Sequence, residues 1–133
     1  MKRVRGYIFS RPFMGERVPQ HVQNLVIRDY CKKNDLKYLL SATEYAMDDC
    51  YYMHDQLLND LDNVDGIAAY SIFQLPMKTT HRSRIYRKIL DYNKSYHFAV
   101  EGLSINNQHE CERIESIWRI RQTLPYCYYY DKQ

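Results

Sequence analysis

At 133 residues the chain is long enough for one domain with a real core, and 45% hydrophobic against 26% charged residues is the balance of a water-soluble globular protein. No stretch approaches the roughly 20 apolar residues of a membrane span. The basic start Met1-Lys2-Arg3 leads into a strand-like segment rather than a signal-peptide core, so a cytoplasmic protein with no membrane partner is expected. The formal net charge of +3 is too small to argue for a nucleic-acid partner, and four scattered cysteines (Cys31, Cys50, Cys111, Cys127) lack zinc-ligand spacing, which predicts reduced thiols and no metal or cofactor.

Val4 to Ser10 is short, β-branched and aromatic, and ends at Arg11-Pro12, the pattern of a first strand. A loop over 11–18 follows, and Pro19 suits the first turn of a helix that carries Val22, Leu25, Val26 and Tyr30 on one stripe up to Asn34-Asp35. Leu36 to Glu44 reads as a second strand, and Cys50 to Leu61 as a second helix with Leu57, Leu58 and Leu61 inward. After turn residues 63–66, the apolar run Ile67 to Leu75 predicts a strand buried on both faces, stopped by Pro76.

A third helix is expected from about Thr80 with Ile85, Ile89 and Leu90 inward, then a strand from Tyr96 to Ile105. The last helix, about Gln108 to Gln122, aligns Ile114, Ile117, Trp118 and Arg121. Fourteen tyrosines, three of them at 128–130, mark a Tyr-rich tail over 124–133, either a contact surface or a cover for the core. Strand and helix alternate throughout without a linker. The expected fold is therefore a single α/β domain over 1–133: an open, mainly parallel sheet of four to five strands with helices on both faces.

Such sheets bind ligands beyond the carboxyl ends of their strands. Ser10, Arg11, Arg17, Gln20 and Gln23 follow the first strand, Glu44 closes the second, and Gln74, Lys78, His81, Arg82 and Arg84 follow the third. The gathered cations next to helix N-termini suggest an anionic ligand such as a phosphate-bearing sugar, with Arg11, Arg17 and Arg82 on the phosphate and Gln20, Gln23 and Gln74 as further contacts. The alternative is a solvated basic face. Glu44 and Ser10 are the candidate catalytic groups. Glu44 is either an acid/base or half of an ion pair with an arginine; Ser10 needs an activating partner to be a nucleophile and is otherwise a turn residue.

The segments GYI.S (6–10), PQHVQNLVIRDYCKKNDL (19–36), LLNDL (57–61) and VDGIAAYSIFQL (64–75) resemble the catalytic domain of serine recombinases of the resolvase/invertase type. The resemblance implies a resolvase-like fold in which Ser10 stands near the position of the serine that attacks DNA. Ile8 replaces the arginine two residues before that serine, Phe73-Gln74 stand at the Asp-Arg pair, and Tyr51 or a neighbour replaces the arginine of the second helix. The chain also stops soon after its last helix, without a helix-turn-helix reader. Recombinase activity is not expected.

The stretch RGYIFSRPFMGERVPQHVQN (5–24) is also similar to a small family of single-domain proteins from sporadic carbohydrate-biosynthesis clusters. That resemblance implies a part in making surface polysaccharide, with Arg11, Pro12, Gly15, Glu16, Arg17, Pro19, Gln20 and Gln23 lining one pocket. Two roles are open: binding or converting an activated sugar, or a non-catalytic module that dimerises or docks through the last helix and the Tyr-rich tail, with Trp118 and Tyr128 to Tyr130 as anchors.

Overall fold

A computed structural model describes the chain through Asp131, with side chains described through Thr123. The first strand, β1 (Lys2–Phe9), is central. Its residues alternate between two apolar layers, as the two-residue period of a strand requires: Val4 and Ile8 face one side, Tyr7 and Phe9 the other. On the first side lies α1 (Gln20–Lys33), which buries Ile27 and Cys31 against Val4, Ile8 and Ala68. The larger core lies on the second side, under the remaining helices.

The stripe of α1 differs from expectation. Gln23, Ile27 and Cys31, each four residues apart, face inward, while Leu25 stays 57% exposed. The inward row starts on a glutamine whose polar groups are all bonded, so a search for apolar residues alone misses it. Pro19 sits at the cap rather than in the first turn, and its carbonyl accepts the N–H groups of Val22 and Gln23.

The segment 36–44 is not one strand but two, β2 (Leu36–Tyr38) and β3 (Ala42–Glu44), both parallel to β1. Register explains the break. Val4 pairs with Tyr38 and Tyr7 with Ala42, so β1 advances by three residues where its neighbour advances by four, and the extra residue bulges out. Leu39 still donates to the Val4 carbonyl, and Leu40 projects into solvent at 84% exposure. Next comes α2 (Tyr52–Asn59), shorter than expected, with Leu57 and Leu58 buried and Leu61 following in a 3₁₀ turn.

On the other side of β1 runs β4 (Gly66–Ala69), parallel to it and to β5 (Ser95–Phe98). The apolar run 67–75 therefore does not stay extended to Leu75. The Ser71 side chain accepts the Phe73 N–H while the Gln74 side chain accepts the Ser71 N–H, and this reciprocal cap turns Ile72–Gln74 into a 3₁₀ turn. α3 (Thr79–Asp91) returns the chain, burying Arg82, Ile85, Tyr86 and Ile89.

The expected strand 96–105 is a hairpin: β5 turns back into β6 (Leu103–Ile105), antiparallel, through Gly102 at φ 66°. The sheet thus has six strands in the order β2-β1-β4-β5-β6, with β3 beside β1 on the β2 side. Finally α4 (Gln108–Asp131) packs Cys111, Ile114 and Trp118 onto the core. It runs past the expected stop at Gln122, where no glycine follows to terminate it, and so takes in much of the Tyr-rich stretch. The tail's side chains from 124 onward lie outside the described residues. No helix among the described residues is long and apolar enough to cross a membrane.

A Cβ on Gly66 of β4 would run into the backbone carbonyl of Ser95 in β5. Backbone cannot give way as a side chain can. Gly66→Ala is expected to destabilise the protein by at least about 2 kcal/mol, measured as a lower urea midpoint at unchanged m-value.

Candidate functional site

The carboxyl ends of β1, β3 and β4 meet at one edge of the molecule, and most of the polar residues expected there are engaged by the protein itself. Gln23 is fully buried; its amide nitrogen donates to the carbonyls of Phe9 (2.9 Å) and Val18 (2.8 Å), and its oxygen accepts from the Phe9 N–H (3.0 Å). That oxygen also accepts from Gln74 Nε2 (2.8 Å), whose own oxygen holds the N–H groups of Tyr70 and Ser71. Two glutamines thereby lash the end of β1 to the end of β4. Every amide group of the pair is committed to an internal partner.

Glu44 is 1% exposed and forms no ion pair with an arginine among the described residues, unlike one of its expected roles. One carboxylate oxygen accepts from the Tyr7 hydroxyl (2.7 Å) and the His54 N–H (3.1 Å); the other accepts from the N–H groups of Met53 (2.9 Å) and Tyr45 (3.2 Å). The carboxylate thus sits on the first turn of α2, where unpaired N–H groups and the helix dipole favour negative charge. Burial, then the neighbouring Glu44 charge, pushes the Tyr7 hydroxyl far above its usual pKa.

Ser10 donates its hydroxyl to the Glu44 backbone carbonyl (2.9 Å) and meets no carboxylate or imidazole among the described residues. Arg11 is buried as well. A single guanidinium nitrogen donates to the carbonyls of Tyr45 (3.0 Å), Met47 (3.2 Å) and Cys50 (2.8 Å), and the group lies over the rings of Phe9 (4.1 Å) and Tyr51 (5.0 Å). It closes the loop between β3 and α2.

Arg82 is equally committed: it grips Glu115 of α4 with two nitrogens (2.7 and 2.9 Å), donates to the carbonyls of Pro76 and Met77, and lies 4.3 Å from the Trp118 ring. The guanidinium holds the Glu115 carboxyl below its usual pKa against the opposing effect of burial. Only Arg17 and Gln20, of the expected contacts, are exposed and without hydrogen-bond partners among the described residues. Pro12, Gly15, Glu16 and Pro19 are exposed beside them and form a surface loop. His81, also expected near the strand ends, lies in a groove of about 440 Å³ between α2 and α3 with Asp55, Arg84 and Lys88.

A cavity of about 300 Å³ does open at the strand ends; its lining includes Phe13, Tyr51, Phe73 and methionines, with Phe9 and Trp118 beneath them at 2% and 1% exposure. Asp48 and Asp49 stand at its edge with Arg11. Sequence reasoning passed over this set because it sought polar groups; the signal was the aromatic residue beside each strand-end polar one, as in Phe9-Ser10 and Phe73-Gln74. It also missed two buried histidines. His54 Nε2 shares a hydrogen bond with the Tyr96 hydroxyl (2.8 Å) while its Nδ1 has no partner among the described residues. His97, under α1, pairs with the hydroxyls of Ser95 (2.8 Å) and Tyr30 (3.0 Å). No group of side chains among the described residues is placed to hold a metal ion.

The parallel sheet with its antiparallel last strand, helices on both faces and a serine at the end of β1 define a resolvase-like α/β fold. Among solved structures, the chain is similar to a resolvase family site-specific recombinase from Streptococcus pneumoniae (TM-score 0.65, 10% identity, 98% of this chain and 99% of that one). It is likewise similar to the N-terminal catalytic domain of TP901-1 integrase (TM-score 0.62, 13% identity, 90% and 98% covered). The sequence matches no protein-family profile and no curated protein. At these identities the shared property is the fold.

Two measurements check the buried polar groups. Glu115→Ala leaves the buried Arg82 charge uncompensated and is expected to cost about 3 kcal/mol in urea unfolding. Burial lowers the pKa of His97 to about 4 and of His54 to about 3. Below the unfolded pKa of about 6.5, the unfolded chain then binds protons that the folded one refuses, so stability falls as pH drops from 6.5 toward 4. His97 alone accounts for about 2 kcal/mol between pH 7 and 5, and a His97→Gln variant is expected to show a shallower slope in unfolding free energy against pH over that window.

Proposed function

We propose that the protein is a non-catalytic module on a resolvase-like fold, serving surface-carbohydrate biosynthesis by binding a partner rather than by breaking a phosphodiester. The observation that carries this reading is the state of Ser10. Its proton is directed at a backbone carbonyl, and Arg11 next to it is spent on three other carbonyls. A serine becomes a nucleophile only with a base to take its proton or cations to stabilise its alkoxide. Neither is offered to Ser10 among the described residues.

The carbohydrate setting rests on the similarity of residues 5–24 to proteins of polysaccharide clusters. The exposed part of that stretch, Glu16, Arg17 and Gln20, supplies the contact surface, while Gln23 and Arg11 hold it in shape. Ile120, 62% exposed on α4, supports a second contact along that helix, in keeping with dimerisation or docking through it. An activated sugar as ligand is the second reading, and Arg17 is the exposed cation that favours it.

The test is complementation of a strain lacking the protein, read as surface polysaccharide per cell, together with incubation on supercoiled DNA. Ser10→Ala is expected to restore polysaccharide as fully as the wild type, and neither protein is expected to nick the DNA. Nicking that disappears in Ser10→Ala would show the serine to be a nucleophile and overturn the proposal. A nucleotide sugar that raises the melting temperature of the wild type but not of Arg17→Ala would favour the second reading; at 100 times Kd the gain is about 2.7 kcal/mol.

A further inference from the structure

We infer that the groove between α2 and α3 is a binding site for a phosphate monoester carried on one compact, sugar-sized ring. Arg17 is not part of its lining, and the inference depends on neither reading of the function given above. The groove's volume, about 440 Å³, is within the range of ligand pockets and suits one such molecule. Its α3 wall carries His81, Arg84 and Lys88, spaced three and four residues apart and therefore on one stripe of the helix; Asp55 and Asn59 stand on the α2 wall.

The charge that α3 leaves uncompensated points to an anion. Arg84 stands three residues before Arg87 and four before Lys88, spacings at which like charges repel along a helix surface. Neither Arg84 nor Lys88 forms an ion pair among the described residues, although Asp91 lies within a turn of Lys88. Lys88 is half-buried and rests over the Tyr92 ring at 5.2 Å. Arg11 and Arg82, by contrast, spend their donors inside the fold. Two cations face one carboxylate across the groove. A phosphate set between Arg84 and Lys88 accepts charge-assisted hydrogen bonds from both and cancels their repulsion.

The remaining lining selects what the phosphate is attached to. His81 stands two turns before Lys88, about 10 Å away along the axis at the rise of a helix. Burial and the Arg84 charge push the His81 pKa down while Asp55 opposes them, so a neutral imidazole and a carboxylate share that end of the groove. The side chains of Asp55, Asn59 and His81 have no hydrogen-bond partner among the described residues. They offer both donors and acceptors, the complement of hydroxyl groups. Leu58, 8% exposed between Asp55 and Asn59, gives the same wall an apolar spot for the C–H face of a ring.

The test is a titration with glucose 6-phosphate at constant ionic strength, in slightly alkaline buffer where the phosphate carries close to two charges, followed by the ring-proton NMR signals of the histidines. His81 lines the groove, and its signal is identified by its loss in His81→Gln. A saturable shift of that signal is expected, with the signals of His21 and His109 unmoved. Glucose, the same ring without the charge, is expected to bind about tenfold more weakly, and inorganic phosphate, without the hydroxyls, several-fold more weakly. An Arg84→Gln, Lys88→Gln double variant is expected to lose about tenfold in affinity yet to melt no lower than the wild type, because it removes a like-charge pair. A Lys32→Gln, Lys37→Gln variant, matched in net charge but outside the groove, is expected to bind as the wild type does, and so is Arg17→Ala. An unmoved His81 signal, equal affinity for glucose or for inorganic phosphate, full affinity in the Arg84, Lys88 double variant, or lost affinity in either control would each overturn the inference. Lost affinity in Arg17→Ala alone would do so while supporting the sugar reading at its own loop.

Discussion

A carboxylate with 1% exposure has to be satisfied before anything around it can be placed, and Glu44 meets that demand by drawing three elements together. The tyrosine of β1, the end of β3 and the first turn of α2 converge on its two oxygens. Its own carbonyl then takes the Ser10 hydroxyl, and Arg11 gathers the carbonyls of the loop that Glu44 begins. The path of the chain at the strand ends follows from this one buried charge. Hydrogen bonds to a charged group are worth roughly twice those between neutral ones, so the arrangement is stiff as well as specific.

Around that anchor the strand-end layer has exchanged exposure for cohesion. In a ligand site, glutamine and arginine side chains keep donors pointing outward. Here Gln23, Gln74, Arg11 and Arg82 turn theirs to backbone carbonyls, to each other or to Glu115. The rings of Phe9 and Trp118, against which the guanidinium groups lie, are buried with them, at 2% and 1% exposure. Much of the polarity expected of the site has moved inside.

The order and type of most elements were legible because they depend on local pattern: β-branched runs for β1 and β4, and leucines spaced for α2. The errors occurred where long-range pairing or capping decides. The one-residue excess opposite β1 shows only once Tyr38 and Ala42 are paired with Val4 and Tyr7. The turn at Ser71 was written in the sequence as Ser-x-x-Gln, a capping signature hidden inside an apolar run. The gathering of candidate residues at one end of the sheet was legible too. Their commitments were not, since nothing in the one-dimensional spacing of Gln23 and Gln74 says that they bond each other across 51 positions.

The bulge has a bearing on how the sheet ends. Beyond the central strands the sheet is bordered by β2 and β3 on one side and by β6 on the other, each only three residues long. A border this short, and broken on one side, presents too few aligned N–H and C=O groups to template a strand from another copy. The break between Tyr38 and Ala42 thus works against edge-to-edge aggregation, while Leu39 within it still packs against the core.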